Sequence, residues 1–175
     1  MHVGLGRTGH LFAYERSGVT PDLLTLAKPL AGGLPIGAVL LTQRVADAMA
    51  PGDHGSTFAG NPLVCRAAVT TLDIIREPAF LADVRRKGDA LRAGLEAALA
   101  GNPHVKEVRG AGLIVGIQLD QPAGAVVDAA REQGLLIITA GKGDVVRLVP
   151  PLVVTDEQIQ FAIDVIGKAA AKVLA

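Results

Sequence analysis

The chain has 175 residues, enough to bury one sizeable core or two small ones. Half of the residues are hydrophobic but only 3% are aromatic, and Lys+Arg balance Asp+Glu at 17 each, so an aliphatic core is expected and a nucleic-acid-binding or anionic-membrane surface is not. A single cysteine, Cys65, excludes an internal disulfide and a cysteine-based zinc site, and the four histidines have no metal-like spacing, so no metal site is expected. No apolar run is long enough to span a bilayer, and no signal or transit segment is recognisable after Met1.

In chain order, the first motif is G-L-G-R-T-G at residues 4–9. It matches a dinucleotide loop formally, but no strand precedes it and no long helix follows. A turn whose glycines allow close backbone approach is the better expectation. Residues 23–27 read as a short buried strand ending at Lys28, and Pro29 turns Lys28 away from helical geometry. A lysine at that strand end, walled by aliphatic side chains, would be held as the neutral amine that attacks an aldehyde; alternatively it is a solvated residue closing a strand.

Residues 36–41 read as another strand and 43–50 as a short helix stopped by Pro51-Gly52. In H-G-S-T-F-A-G-N-P, Asn61 is an N-cap and Pro62 a first helical residue, so a helix is predicted to about Arg76. Ser56 and Thr57, with the glycines around them, suit a phosphate or carboxylate ligand, or form an ordinary connecting loop. Cys65 falls inside this helix and is expected to pack.

Glu77-Pro78 is read as the domain boundary, dividing residues 1–76 from 77–175. Residues 80–99 show the spacing of a long amphipathic helix. Strands are expected over 104–109 and 113–119, a helix over 122–133 stopped by Gly134, and a hairpin joining 135–138 to 145–149. Pro150-Pro151 interrupts, and Thr155 with Gln158 forms a capping box for a last helix to about Val173. The second half is therefore a ββαββα unit and the chain as a whole α/β. Arg147, amid β-branched neighbours, either faces solvent or grips a carboxylate with both arms of its guanidinium.

The segments G-L-G-R-T-G, V-T-P-D-L-L-T-L-A-K-P-L-A-G-G-L-P-I-G, G-D-H-G-S-T-F-A-G-N-P, R-G-A-G-L and V-V-R-L-V-P-P-L occur in the order found in class III, pyridoxal-phosphate-dependent aminotransferases. The whole chain resembles the C-terminal portion of that family, and within it the acetylornithine aminotransferases of plant and algal plastid type. The resemblance implies a fold-type-I transferase: residues 1–76 as the end of the cofactor-binding large domain, 77–175 as the small domain. It implies amino transfer from N-acetylornithine to 2-oxoglutarate in arginine synthesis, by a soluble homodimer. Lys28 would be the Schiff-base lysine, Thr57 a cofactor-phosphate ligand across the dimer interface, Ser56 a substrate contact and Arg147 the α-carboxylate ligand. In the family, D-E-V-Q precedes the first glycine motif; here Met1-His2-Val3 does, which puts His2 at the glutamine position beside the cofactor and leaves the pyridine-nitrogen aspartate outside the sequence. On that basis the chain alone is expected to turn over negligibly. It would reside in the cytosol as written, although the plastid type is imported. Another ω-aminotransferase, acting on ornithine, 4-aminobutyrate or glutamate semialdehyde, and a non-catalytic module pairing with a full-length subunit are the alternatives.

Overall fold

The computed structural model describes residues 3–174 and divides the chain into two compact units. The first comprises the residues up to Gly6 together with His10–Leu81; the second comprises Arg7–Gly9 and the chain from Ala82 onward.

In the first unit, β1 (Leu23–Leu26) and β2 (Ala38–Leu41) form an antiparallel two-stranded sheet, with Leu23 opposite Leu41 and Leu26 opposite Ala38. A 3-10 turn over Lys28–Ala31 follows β1 directly, and a short helix α1 (Gln43–Ala46) follows β2. The main helix is α2 (Pro62–Ile75). It starts where Asn61 accepts from the N–H groups of Leu63 and Val64, with Pro62 placed where a missing N–H costs nothing. Leu5, Leu26, Leu30, Ala31, Ala68 and Ile75 make the core, with Phe12, Leu72 and Phe80 packed around it. The strand over 23–27 was expected to be buried. Only Leu26 is, at 8% exposure, while Leu23 is 53% exposed, because among the described residues the sheet has two strands and buries little of itself.

The helix α3 (Pro78–Ala98) runs from the first unit, which holds its opening turn, into the second. The sequence placed its start at residue 80. Proline is tolerated in the first turn, where no intrahelical N–H bond is due, so Pro78 opens this helix rather than delaying it.

The second unit carries β3 (Val105–Ala111), β4 (Ile114–Leu119), α4 (Gly124–Glu132), β5 (Ile138–Ala140), β6 (Val145–Leu148) and α5 (Asp156–Val173). The ββαββα order expected from the sequence is the order found. The strands form one antiparallel sheet in the order β3-β4-β6-β5. Alternation decides its faces: Val115, Ile117 and Leu119 on β4 lie level with Leu148 and Val146 on β6 in the core, all at most 4% exposed. Leu91 and Leu95 of α3, Val126 of α4 and Ile163 and Ile166 of α5 supply the rest of that core. Two glycines allow close approach: a Cβ on Gly88 would lie 2.2 Å from the carbonyl oxygen of Gly112, and one on Gly94 would meet the end of Ile163. The capping box at Thr155 and Gln158 is present in full. Arg86 ties α3 to the first turn of α5 through Asp156, while also bonding Asp83; Asp156 is the main cause of a guanidinium value raised above the ordinary one.

Strand β5 is shorter than the run 135–138 suggested. The N–H of Leu135 closes the end of α4 by bonding to the carbonyl of Ala130, and Gly134, at φ 85°, makes that reversal possible. The backbone of Leu135 is thereby used as a helix cap and is not available to the sheet.

Candidate functional site

Lys28 stands two residues beyond β1, at the first position of the 3-10 turn, with φ 57°. Leu5 is the other non-glycine residue with positive φ among the described residues. Such a backbone costs an L-residue about 1–2 kcal/mol. Pro29 excludes the right-handed helical region for the residue before it, which by itself favours an extended backbone, so the positive φ is imposed by the turn as a whole. The lysine is exposed, so the aliphatic enclosure that the sequence suggested for it is not found among the described residues. Ala27 and Pro29, the residues on either side of it, line a cleft of about 290 Å³ whose walls include Leu5, Phe12 and Tyr14. The rings of Phe12 and Tyr14 are stacked, with centroids 5.9 Å apart.

Ser56 and Thr57 lie in the exposed turn between Pro51 and α2. The sequence pointed to a helix start as a possible anion site. The first amides of α2 are already used: Leu63 and Val64 donate to the side chain of Asn61 and Cys65 donates to its carbonyl, while Pro62 has no N–H. An anion at this turn would therefore be held by the two hydroxyls and the loop backbone, not by the helix end. Cys65 is half-buried in α2, in keeping with packing.

Arg147 lies on β6, in the second unit, opposite Gly116 on β4 and Ile138 on β5. Its neighbours Val146 and Leu148 point into the core, so the arginine stands on the opposite face of the sheet. It is neither fully solvated nor paired: Nε is buried and has no hydrogen-bond partner among the described residues. Gly116 beside it has no side chain, and a Cβ there would already touch Val145 at 3.3 Å. The remaining polar groups of that face are occupied with one another, Arg109 bonding Glu107 at 2.7 Å and Gln118 at 3.0 Å. A buried guanidinium nitrogen without a partner costs free energy, and a carboxylate would satisfy it. A largely apolar cleft of about 390 Å³, lined by Leu136, Ile138, Pro150, Phe161 and Arg147, adjoins it.

Lys28, Ser56 and Thr57 thus belong to the first unit and Arg147 to the second, and His2 lies outside the described residues. The sequence reading passed over Arg7. Its guanidinium donates to the carbonyls of Leu113 (3.1 Å) and Pro150, and burial holds its value below the ordinary one for arginine. Contacts across 106 and 143 residues leave no local pattern by which the sequence could have marked it. Among the described residues no group of histidine, cysteine and carboxylate side chains could hold a metal, and no helix is long and apolar enough to cross a membrane.

Comparison with known proteins adds the lineage. The family described as aminotransferase class-III matches residues 1–170. The mitochondrial acetylornithine aminotransferase of Alnus glutinosa is 59% identical over 163 residues, covering 93% of this chain and 36% of that protein. Among solved structures, the N-acetylornithine aminotransferase from Stenotrophomonas maltophilia K279a superposes with a TM-score of 0.85 at 39% identity, over 97% of this chain and 45% of that one. The ornithine aminotransferase from Toxoplasma gondii, described with partial occupancy of PLP at its active site, superposes with a TM-score of 0.89 at 39% identity, over 97% and 41%. The chain spans less than half the length of each of these relatives. With the family matched over nearly its whole length and its α/β fold shared with solved members, the chain belongs to the class III aminotransferases.

Proposed function

We propose that the protein takes part in pyridoxal-phosphate-dependent amino transfer, with N-acetylornithine as donor and 2-oxoglutarate as acceptor, in arginine synthesis. In this reading, residues 1–76 belong to the cofactor-binding domain and 77–175 to the small domain. The observation that carries the proposal is Lys28: an exposed lysine on a strained backbone, directly before Pro29 and beside a cleft with stacked aromatic rings. Strain of this kind persists where the surroundings impose it and is concentrated at functional positions. The residues present fit the cofactor's chemistry. Lys28 offers an amine for its aldehyde, Ser56 and Thr57 offer exposed hydroxyls for its phosphate, and the unsatisfied Nε of Arg147 fits the carboxylate of an amino acid.

Pyridoxal phosphate, when bound, supplies an aldehyde that takes up the amino group and a ring that withdraws electron density from the substrate Cα. Lys28 would hold the cofactor through Nζ and would accept and return the substrate Cα proton at that same atom. Arg147 would grip the α-carboxylate and so orient the Cα–H bond, a positioning contribution. Thr57 would act on the cofactor phosphate of a second copy across a homodimer interface, and Ser56 on the substrate. A titration with pyridoxal phosphate, followed by borohydride reduction and peptide mapping, tests the proposal. Attachment at Lys28 that disappears in Lys28→Ala supports it; adducts spread over surface lysines reject it.

A second reading, with ornithine itself as donor, is favoured by the likeness to the ornithine aminotransferase from Toxoplasma gondii. A donor panel comparing N-acetylornithine, ornithine and 4-aminobutyrate decides between them.

A further inference from the structure

The segment Arg7–Gly9 belongs to the second unit although about a hundred residues separate it from most of that unit's sheet. Two contacts seat it there: Arg85 on α3 donates to the carbonyl of Gly9, and Gly112 packs so closely that a Cβ on it would lie 2.5 Å from the carbonyl oxygen of Arg7. Leu113, which is fully buried, gives its N–H to the carbonyl of Arg7 at 2.9 Å and receives the Arg7 guanidinium on its own carbonyl at 3.1 Å. Arg7 therefore satisfies both backbone groups of Leu113, as a neighbouring strand would.

The β4–β6 register explains why an arginine is needed. The last pair of the ladder is Val115 with Leu148, and extending the register two steps places Leu113 opposite Pro150. Pro150 has no N–H, so the ladder cannot continue through backbone bonds alone. The guanidinium of Arg7 donates to both facing carbonyls, Leu113 and Pro150, and supplies the donor that proline lacks. Three separate sequence motifs, G-L-G-R-T-G, R-G-A-G-L and V-V-R-L-V-P-P-L, meet at this one side chain. Arg147 lies three residues before Pro150 and one before the last ladder pair.

We propose that Arg7 is a positioning residue for Arg147: it completes the β4–β6 ladder beyond Leu148 and so fixes the strand end from which Arg147 meets a carboxylate. The consequence for ligand binding rests on the reading of Arg147 given above; the consequence for the strand does not.

The test uses the ¹⁵N-labelled 175-residue chain and its Arg7→Met and Arg7→Lys variants. The Arg147 Nε–H signal is assigned by its loss in Arg147→Lys, and glutamate serves as the carboxylate probe. In Arg7→Met that signal should shift before any ligand is added. Amide exchange at Leu148 and Val115 should quicken about tenfold, the scale expected for losing one hydrogen bond to a charged group, while exchange on β3 stays unchanged. Glutamate binding should weaken by a similar factor, and Arg7→Lys should restore part of each effect, since an ammonium reaches one carbonyl but not both. An unmoved Arg147 signal in folded Arg7→Met overturns the proposal, as does acceleration spread evenly over all four strands. Should Arg7→Met fail to fold, Arg7→Lys and Arg7→Gln are read by the same criteria. If the unaltered chain binds no glutamate while the Arg147 signal still moves, the carboxylate reading fails and the positioning claim stands.

Discussion

The two units build strands from the same aliphatic residues and bury them very differently. In the first, Val39 and Leu40 of β2 are 59% and 48% exposed; in the second, Ile117 of β4 and Val146 of β6 are at most 2% exposed. Composition does not separate them. The difference lies in what covers each sheet. The four strands of the second unit present one continuous apolar face to α3, α4 and α5, so that alternation along each strand has a core to point into. The first unit has two strands that pair only with each other among the described residues, and its core is gathered between α2, the 3-10 turn and the glycine-rich start of the chain. A two-stranded ribbon has little stability of its own. The candidate nucleophile sits in this less buried unit and the candidate carboxylate ligand in the well-packed one. A strained lysine is thus held by local chain geometry, and an arginine by a completed sheet.

The sharpest way to break this comparison is a pair of truncations. Leu95→Ala removes a fully buried side chain of the second unit and should cost about 3 kcal/mol in denaturant unfolding. Val39→Ala, in the first, should stay within about 1 kcal/mol. Equal costs would show that the exposed strands are as tightly held as the core ones. Next in size is a contrast between two glycines of α3. Gly88→Ala drives a methyl group into the backbone of Gly112 and should cost about 2 kcal/mol, whereas Gly94→Ala displaces only the flexible end of Ile163 and should cost less than half of that.

Lys28→Gly sharpens the comparison from the other side. Relieving φ 57° should stabilise the first unit by up to about 1 kcal/mol in thermal or denaturant unfolding, while Lys28→Ala, which keeps the strain, should not. Both variants should abolish attachment of pyridoxal phosphate. A loss of stability in Lys28→Gly would mean that the side chain, not the backbone, sets the balance at this position.

The smallest effect expected is electrostatic. His104, at 3.0 Å, is the main cause of an Asp120 carboxyl held below its usual range, and Lys106, at 3.2 Å, adds to it. A folded-state value lower than the unfolded one stabilises the chain fully above the ordinary carboxylate value of about 3.9. That contribution is lost as pH falls through the depressed value. Asp120→Asn should therefore lower stability slightly near neutrality and flatten its decline on the acid side below pH ~4, seen as a smaller change in unfolding midpoint with pH.

Local signals in the sequence were reliable where the interaction they encode is itself local. Asn61-Pro62 opens α2, Thr155 with Gln158 opens α5 and Gly134 ends α4, because caps and left-handed turns are decided within four or five residues. Pro29 keeps Lys28 out of the right-handed helical region over one peptide bond, as the sequence indicated, but the positive φ that Lys28 adopts at the start of a 3-10 turn was not legible. The motifs in their order pointed to the family, and the family match over residues 1–170 agrees.

What the tertiary structure alone decided concerns contacts between distant segments. The sequence marks 23–27 and 145–149 as similar apolar strands, and only the packing leaves the first largely open while it buries Val146 and Leu148. It offered two readings of Arg147, solvated or holding a carboxylate. The fold gives a buried Nε with no partner among the described residues, because Gly116 has no side chain and the acceptors Glu107 and Gln118 on that face are taken by Arg109. Most of all, the sequence contains no sign that Arg7 faces Leu113 and Pro150. A hydrogen bond between residues more than a hundred positions apart is written in no local pattern; it exists because a proline ends a ladder and folding brings a guanidinium to the two carbonyls left facing each other.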